Sequence, residues 1–279
     1  MGIDELIELA IREDVGEGDH SSLATIPDKA TGKAGLLIKE SGIIAGIEIA
    51  EKVFKKTDPG LRLSKLMRDG QQVKPGDIVF YVSGSSRSIL TAERLALNFM
   101  QRMSGIATHA HELNQKLAGL QTKILDTRKT TPNFRIFEKM AVKTGGGENH
   151  RMGLYDMIMI KDNHIDFAGG ISQAIKKTNE YLKQKRKKMQ IEIEVRNFDE
   201  LEEVLETGKI NRIMLDNFSP ADLKKAVKII NRRYETEASG GITMKTIREY
   251  AETGVDYISS GALTHQIKSL DMSLKAIKD

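Results

Sequence analysis

Six short apolar runs in the second half of the chain each end in or near a polar residue, and this rhythm constrains the fold more than any other feature. The runs are K-I-L-D at 123–126, M-I-M-I-K at 157–161, I-E-I-E-V at 191–195, R-I-M-L-D at 212–216, T-E-A-S at 236–239 and Y-I-S-S at 257–260. Between several of them lie helix signals. Asn197 with Glu200 three residues on marks one start, and Gly208 its end. Ser219-Pro220 marks the next start, and a third helix is expected over 243–252 before Gly254. Alternating units of this kind predict a parallel sheet with helices outside it. In a closed or nearly closed barrel the reactive groups collect at the C-terminal strand ends. An open doubly wound sheet is the alternative, but no G-x-G-x-x-G follows the first strand of the region.

The first half has a different punctuation. Residues 4–13 fit a short helix with Asp4 as its cap. From Lys33 to Val82, brief apolar runs between glycines (35–39, 42–46, 77–82) and the K-P-G-D turn at 74–77 predict small antiparallel strands. A long helical stretch follows from Thr91 to Leu117, with Leu95, Phe99, Met103, Ile106, Ala110, Leu113 and Leu117 on a buried stripe. Ser104-Gly105 is expected to break it or to admit another backbone, and Arg102 lies off the stripe. The expected fold class is α/β: an irregular (β/α) barrel with parallel strands, plus an N-terminal α+β sandwich-like domain. The expected division is 1–110, including the linking helix region, and 111–279 for the barrel, with the last residues packing back on the first domain.

Charge and composition exclude several function classes. The formal net charge of +4 owes much to K-Q-K-R-K-K at 183–188, but aromatic residues are 5% and none interleave with that run. It reads as a solvated helix end rather than a nucleic-acid surface. Zero cysteines exclude disulfides, thiolate metal sites and a cysteine nucleophile. No apolar run reaches membrane-spanning length, and the acidic N-terminal pattern is not that of a signal peptide, so a cytoplasmic location without membrane contact is expected.

Chemistry concentrates between Asp126 and Ile165. There the chain reads D-T-R-K-T-T-P at 126–132, G-G-G-E-N-H-R at 145–151 and I-K-D-N-H-I at 160–165. Cationic side chains beside bare glycine amides predict an anion pocket. If the strand ends converge, one mouth holds Arg128, Lys129, His150, Arg151, Lys161, Glu194 and Asp216. Each cation has a plainer reading as a barrel ion-pair partner. The excess of cations suits a polyanionic substrate. His109 and His111 read as packed or exposed helix residues, His20 as part of a turn, and His164 as a support for Lys161.

These motifs resemble the quinolinate phosphoribosyltransferase family. So do E-D-V-G-E-G-D at 13–19, E-R-L-A-L-N-F-M-Q-R-M-S-G-I-A-T at 93–108, I-M-L-D-N-F-S-P at 213–220 and S-G-G-I at 239–242. The resemblance implies phosphoribosyl transfer from phosphoribosyl pyrophosphate to quinolinate, with decarboxylation, in NAD biosynthesis. It implies that Arg102, Thr127, Arg128, His150 and Arg151 bind quinolinate, with Lys129 and Lys161 as point charges on carboxylate or phosphate. Glu194 and Asp216 face the ribose, and Lys129, Lys161, Glu194 and Asp216 are the catalytic set. Ser239, Gly240, Gly241, Ser260, Gly261 and Ala262 are expected to receive the 5′-phosphate at helix starts. Mg²⁺ is expected to arrive on the pyrophosphate, with Glu194 and Asp216 nearby; no organic cofactor is expected. A homodimer or higher oligomer is implied, with Arg102 reaching the neighbouring subunit's site. Two positions depart from the family pattern. P-N-F-R stands at 132–135 where P-G-L-R is usual, and Arg196 follows strand 191–195 where an acid is common. Asn133 is expected to keep the turn, whereas an inward Arg196 would pair with Glu194. The alternatives are a paralogous barrel acting on another acid, such as the molybdenum-linked relative or a nicotinate phosphoribosyltransferase, or a non-catalytic phosphate-binding barrel.

Overall fold

The computed structural model describes residues 2–277. In chain order its elements are α1 (Ile3–Val15), α2 (His20–Thr25), β1 (Thr31–Ile38), β2 (Gly42–Ile43), α3 (Ile47–Thr57), β3 (Arg62–Lys65), β4 (Gln72–Val73), β5 (Ile78–Ser85), α4 (Ser86–Lys116), β6 (Lys123–Leu125), α5 (Arg135–Thr144) and β7 (Ile158–Ile160). There follow α6 (Asp162–Ala168), α7 (Ile171–Lys185), β8 (Ile191–Val195), α8 (Phe198–Thr207), β9 (Arg212–Asp216), α9 (Pro220–Ile230), β10 (Glu235–Ser239), α10 (Ile247–Ala251), β11 (Tyr257–Ser259), α11 (Ala262–His265) and β12 (Met272–Ala276). Two compact units result. One comprises residues 2–111, Thr130–Gly146 and 263–277; the other comprises Glu112–Lys129 and Gly147–Ala262.

The first unit is built on an antiparallel sheet of order β12-β1-β5-β3. Its strands form where the glycine-punctuated runs predict them. The long helix α4 begins at Ser86, earlier than its apolar stripe suggests, because Ser86 donates its N–H to the Ala30 carbonyl directly after β5. Ser104-Gly105 does not break it. Ser104 Oγ accepts from Ala45 N at 2.9 Å, and a Cβ on Gly105 would lie 2.2 Å from the Lys268 carbonyl oxygen. The pair therefore serves close backbone approach. Asp4 is not the cap of α1, whose N-cap is Gly2; it pairs with Lys52 at 3.0 Å instead.

The triple glycine is likewise structural. Gly145 and Gly146 donate their amides to the Ala141 and Lys143 carbonyls and end α5, so those amides are not available to an anion. A Cβ on Gly145 would lie 2.3 Å from the Ala107 carbonyl oxygen and 2.7 Å from the Ala110 Cβ. Gly145→Ala is expected to destabilise the protein by about 1–3 kcal/mol through overpacking. Thermal unfolding checks this, since an unchanged Tm would mean that the two helices separate at no cost.

In the second unit all six expected strands form, in one parallel sheet of order β6-β11-β10-β9-β8-β7. Glu148 adds a parallel bridge to Leu125 at the β6 edge, and the six-stranded parallel sheet is the one an irregular (β/α) barrel requires. Asn197 and Ser219 cap α8 and α9 as the sequence predicts, each accepting a backbone N–H three residues on. Residues 243–246 form a turn rather than the first turn of a helix, and α10 starts only at Ile247. Among the described residues, no helix is long and apolar enough to cross a membrane.

Candidate active site

Strand periodicity decides which side chains line the barrel. In β8 the odd positions Ile191, Ile193 and Val195 are buried on the apolar face, which leaves Glu192 and Glu194 on the other. By the same rule β9 offers Arg212, Met214 and Asp216, and β10 offers Glu235, Glu237 and Ser239. The register pairs Ser239 with Asp216 and Glu192 with Arg212, so the interior is stacked in layers.

The upper layer holds Lys161, Glu194 and Asp216. Lys161, the N-cap of α6, places its Nζ 2.5 Å from Glu194 Oε2. Its backbone N–H donates to His164 Nδ1 at 3.0 Å. Partial burial raises the Asp216 carboxyl above the usual range, and the charge of Glu194 adds to this, while Lys161, Ser239 and Asn217 oppose it. Asn217, left-handed at φ 57°, donates its amide to Asp216 Oδ2 at 2.6 Å. Its Oδ1 would lie 2.1 Å from a Cβ on Gly240, so the D-N-F-S and S-G-G loops interlock only with glycine there. Arg196 does not turn inward. It makes three hydrogen bonds of 2.6–3.0 Å to the Glu200 carboxylate, leaving Glu194 to Lys161.

Arg128 and Arg151 stand near each other. Burial lowers the Arg151 guanidinium, and the repulsion of Arg128 lowers it further. Thr127, Arg128 and Lys129 follow the end of β6, and Thr127 Oγ1 accepts from Lys129 N at 3.0 Å.

Beneath this layer lies a buried ionic cluster; of its members the sequence reading named only His150, which it expected at the mouth beside quinolinate and which lies instead buried against two glutamates. His150 Nε2 is 2.9 Å from Glu192 Oε2 and 3.3 Å from Glu237 Oε2, and Arg212 reaches Glu237 at 3.2 Å and Glu235 at 2.9 Å. Arg212 also stacks 4.1 Å from the Tyr257 ring centre. Burial opposes charge on His150, but its bonds to Glu192 and Glu237 prevail and raise it to about 9. Burial, with the charge of Glu237 adding, raises Glu192 to about 7. Glu237 moves downward, because His150, Ser259 and Arg212 outweigh its burial. The signal was the spacing: two glutamates two apart in I-E-I-E-V share a face, as do Glu237 and Ser239.

The ligand atoms of His150, Glu192 and Glu237 lie within 4.8 Å of one another, near enough for a divalent cation. Arg212 supplies a positive charge at Glu237, while both Glu192 carboxylate oxygens and Glu237 Oε1 are buried without a hydrogen bond of good geometry. Ser260 donates its N–H to the Leu125 carbonyl and is buried, while Gly240 and Gly241 take left-handed φ of 102° and 60° in a loop. That loop is separated from α10 by the 243–246 turn, so S-G-G is not a helix start. In the other unit Arg102 donates to Glu138 Oε1 at 2.8 and 3.2 Å and to the Thr264 carbonyl. Asn133 keeps its turn at φ 59°.

The family model described as quinolinate phosphoribosyl transferase, N-terminal domain, matches residues 19–104, and its C-terminal counterpart matches 106–275. The chain is 48% identical to the chloroplastic nicotinate-nucleotide pyrophosphorylase (carboxylating) of Arabidopsis thaliana, over 97% of this chain and 81% of that one. It is 39% identical to the probable nicotinate-nucleotide pyrophosphorylase (carboxylating) of Bacillus subtilis, covering 98% and 93% respectively. The crystal structure of NadC from Streptococcus pyogenes superposes with a TM-score of 0.93 at 40% identity, covering 99% of this chain and 97% of that one.

Proposed function

The chain belongs to the quinolinate phosphoribosyltransferase family, and on that premise we propose how its own residues carry the reaction. The reaction is transfer of the phosphoribosyl group from phosphoribosyl pyrophosphate to quinolinate with loss of CO2. Its products, nicotinate mononucleotide and pyrophosphate, place the enzyme in NAD biosynthesis. The observation that carries this reading is the upper layer itself. Two carboxylates and a lysine meet at the strand ends of the barrel that also presents Arg128 and Arg151.

Quinolinate carries two carboxylates. Arg128 and Arg151 suit them as planar forks, and Lys129 suits them as a point charge. The pyridine nitrogen attacks C1′ of the ribose as the bond from C1′ to the pyrophosphate oxygen breaks, and that electron pair leaves with pyrophosphate. Positive charge builds on the sugar in between. Glu194 and Asp216 are the anions that oppose it, the logic of paired carboxylates in glycosidases. Lys161 holds Glu194 in place and opposes the upward shift of the Asp216 carboxyl. The new pyridinium then takes up the electrons of the bond to the departing carboxylate, and a proton replaces CO2 on the ring. Glycine-only backbone at 240–241, with Ser239 and the Ser260-Gly261-Ala262 turn, is the proposed seat of the 5′-phosphate. The raised Asp216 carboxyl beside Glu194 fits a cation nearby, so Mg²⁺ held through the pyrophosphate oxygens suits this layer and would neutralise the leaving group.

Incubation with carboxyl-labelled quinolinate, phosphoribosyl pyrophosphate and Mg²⁺ is expected to release labelled CO2, with each component required. Preferential turnover of nicotinic acid would instead identify a mono-acid paralogue.

We also propose a homodimer in which Arg102 serves the neighbouring subunit's quinolinate. Glu138, fully buried, also accepts from Thr131 N and Oγ1, so Arg102 sits on a fixed base. An isologous interface makes two such sites at once. Arg102→Ala and Lys161→Ala should each be inactive. Co-refolded in equal amounts, they should recover about a quarter of wild-type activity, since half the dimers are mixed and each mixed dimer has one intact site. A mixture that stays inactive although mixed dimers form would confine Arg102 to its own chain.

A further inference from the structure

The transfer step depends on where the Asp216 carboxylate points, and the chain leaves β9 in an uncommon way directly after it. Consecutive side chains of a strand point to opposite faces. Asn217 follows Asp216, so in a continued strand its amide would lie on the far side of the sheet. Instead Asn217 takes a left-handed backbone, with φ 57°. Its side chain folds back, and Nδ2 donates to Asp216 Oδ2 at 2.6 Å. L-residues other than glycine adopt that conformation at a cost, which asparagine bears better than most. Of the six that do so among the described residues, Asn217 alone follows a member of the upper layer. It is exposed, so the core gains nothing from it.

Two further contacts fix the residue. Its backbone N–H donates to the Ser239 carbonyl at 2.9 Å, one step beyond the register pair of Asp216 and Ser239. Its Oδ1 occupies the space that a Cβ on Gly240 would need. The amide cannot be turned over without loss, because an ionised carboxylate only accepts and a reversed amide would set oxygen against oxygen. The Ser239 hydroxyl also hydrogen-bonds the Asp216 carboxylate. Asp216 is thus held from its own chain and from the end of β10.

We propose that Asn217 is a positioning residue for phosphoribosyl transfer. Its amide holds one oxygen of Asp216 so that the other faces the ribose, and its seat on Gly240 ties that carboxylate to the loop proposed for the 5′-phosphate. C1′ and the 5′-phosphate belong to one sugar, so a fixed span between their two holders favours a single placement of it. The proposal rests on the assignment of Asp216 to the ribose. Asn217 has no part in quinolinate capture, so its loss shows in turnover.

The experiment compares the full-length wild type with Asn217→Gly and Asn217→Asp, both of which accept a left-handed backbone. Glycine removes the amide and leaves the turn. Aspartate keeps the shape but sets a second carboxylate against Asp216. With both substrates and Mg²⁺ present, kcat should fall at least tenfold in Asn217→Gly and further in Asn217→Asp. The KM for quinolinate should stay within twofold in each. A residue that merely builds the turn predicts otherwise, since glycine suits that turn best. Asn217→Gly would then keep kcat within twofold, whatever happens to Tm, and that result overturns the proposal. A tenfold rise in the quinolinate KM overturns it as well, because it would place Asn217 at the other substrate.

A second measurement does not need turnover. In ¹⁵N-asparagine-labelled protein the Asn217 side-chain signal is assigned by its absence in Asn217→Asp. One Nδ2 proton should lie downfield of a solvent-exposed amide, and in Asp216→Ala it should return to the exposed position. A wild-type signal already at that position, or one that Asp216→Ala leaves unmoved, would mean that the amide does not hold the carboxylate and the proposal fails. If the wild type does not consume quinolinate, the assignment of function fails first, and the amide spectrum still decides whether Asn217 holds Asp216.

Discussion

Lys161→Met is expected to lower kcat/KM by about 10²–10³, the usual loss when one preorganised electrostatic group leaves an active site. The side chain keeps most of its length and loses only its charge. Glu194 is then left without the ammonium now 2.5 Å from it. Asp216, already raised by burial and by Glu194, loses the cation that opposes both. Its carboxyl must rise further, so activity that needs the ionised form should fail at a higher pH. The acid limb of the kcat profile therefore moves upward in the variant, whereas the alkaline limb has no cause to follow. A pH–rate comparison settles it. A uniformly scaled profile would mean that Lys161 touches substrate without governing the carboxylates.

Arg151→Ala should weaken quinolinate capture by about 2–5 kcal/mol if the guanidinium makes a desolvated contact with a carboxylate. Two features support so large an effect: Arg151 is partly buried, and it lies where Arg128 already repels it. An arginine depressed by a like charge gains most when an anion arrives between the two. Arg151→Lys should recover only part of the loss, because an ammonium cannot reproduce a planar fork. Titration with quinolinate in the absence of phosphoribosyl pyrophosphate isolates the binding term. Wild-type affinity in the lysine variant would place Arg151 outside the site.

The six strands and the upper layer were legible in the sequence because each apolar run ends where a polar residue must face the mouth. Lys161, Glu194 and Asp216 announce themselves in that way. The lower layer was harder to see. Glu192 and Glu237 sit mid-strand, where a glutamate normally signals an exposed face, and only the burial of the whole strand reveals that they point inward. Arg212 opens its strand and looks like a surface residue for the same reason. The triple glycine misled in the opposite direction. Glycine satisfies a helix end and a close crossing as readily as an anion, and here Ala107 and Ala110 on α4 were the neighbours that mattered. Asp4 failed as a cap because α1 already begins at Ile3, and its carboxylate accepts from Lys52, 48 residues away. Long-range partners of that kind leave no local trace.

The two-residue alternation of β8 has a consequence for how the barrel assembles. A strand that pairs with its neighbours one residue out of step sends every side chain to the wrong face. In an all-aliphatic strand that error would be cheap, since isoleucine suits either side. In I-E-I-E-V it would thrust Glu192 and Glu194 into the apolar layer under the helices and strip Arg212, His150 and Lys161 of their anions at once. The interior charges thus act as teeth on a ratchet. They make the mis-stepped sheet so unfavourable that only one alignment of β8 against β7 and β9 can persist.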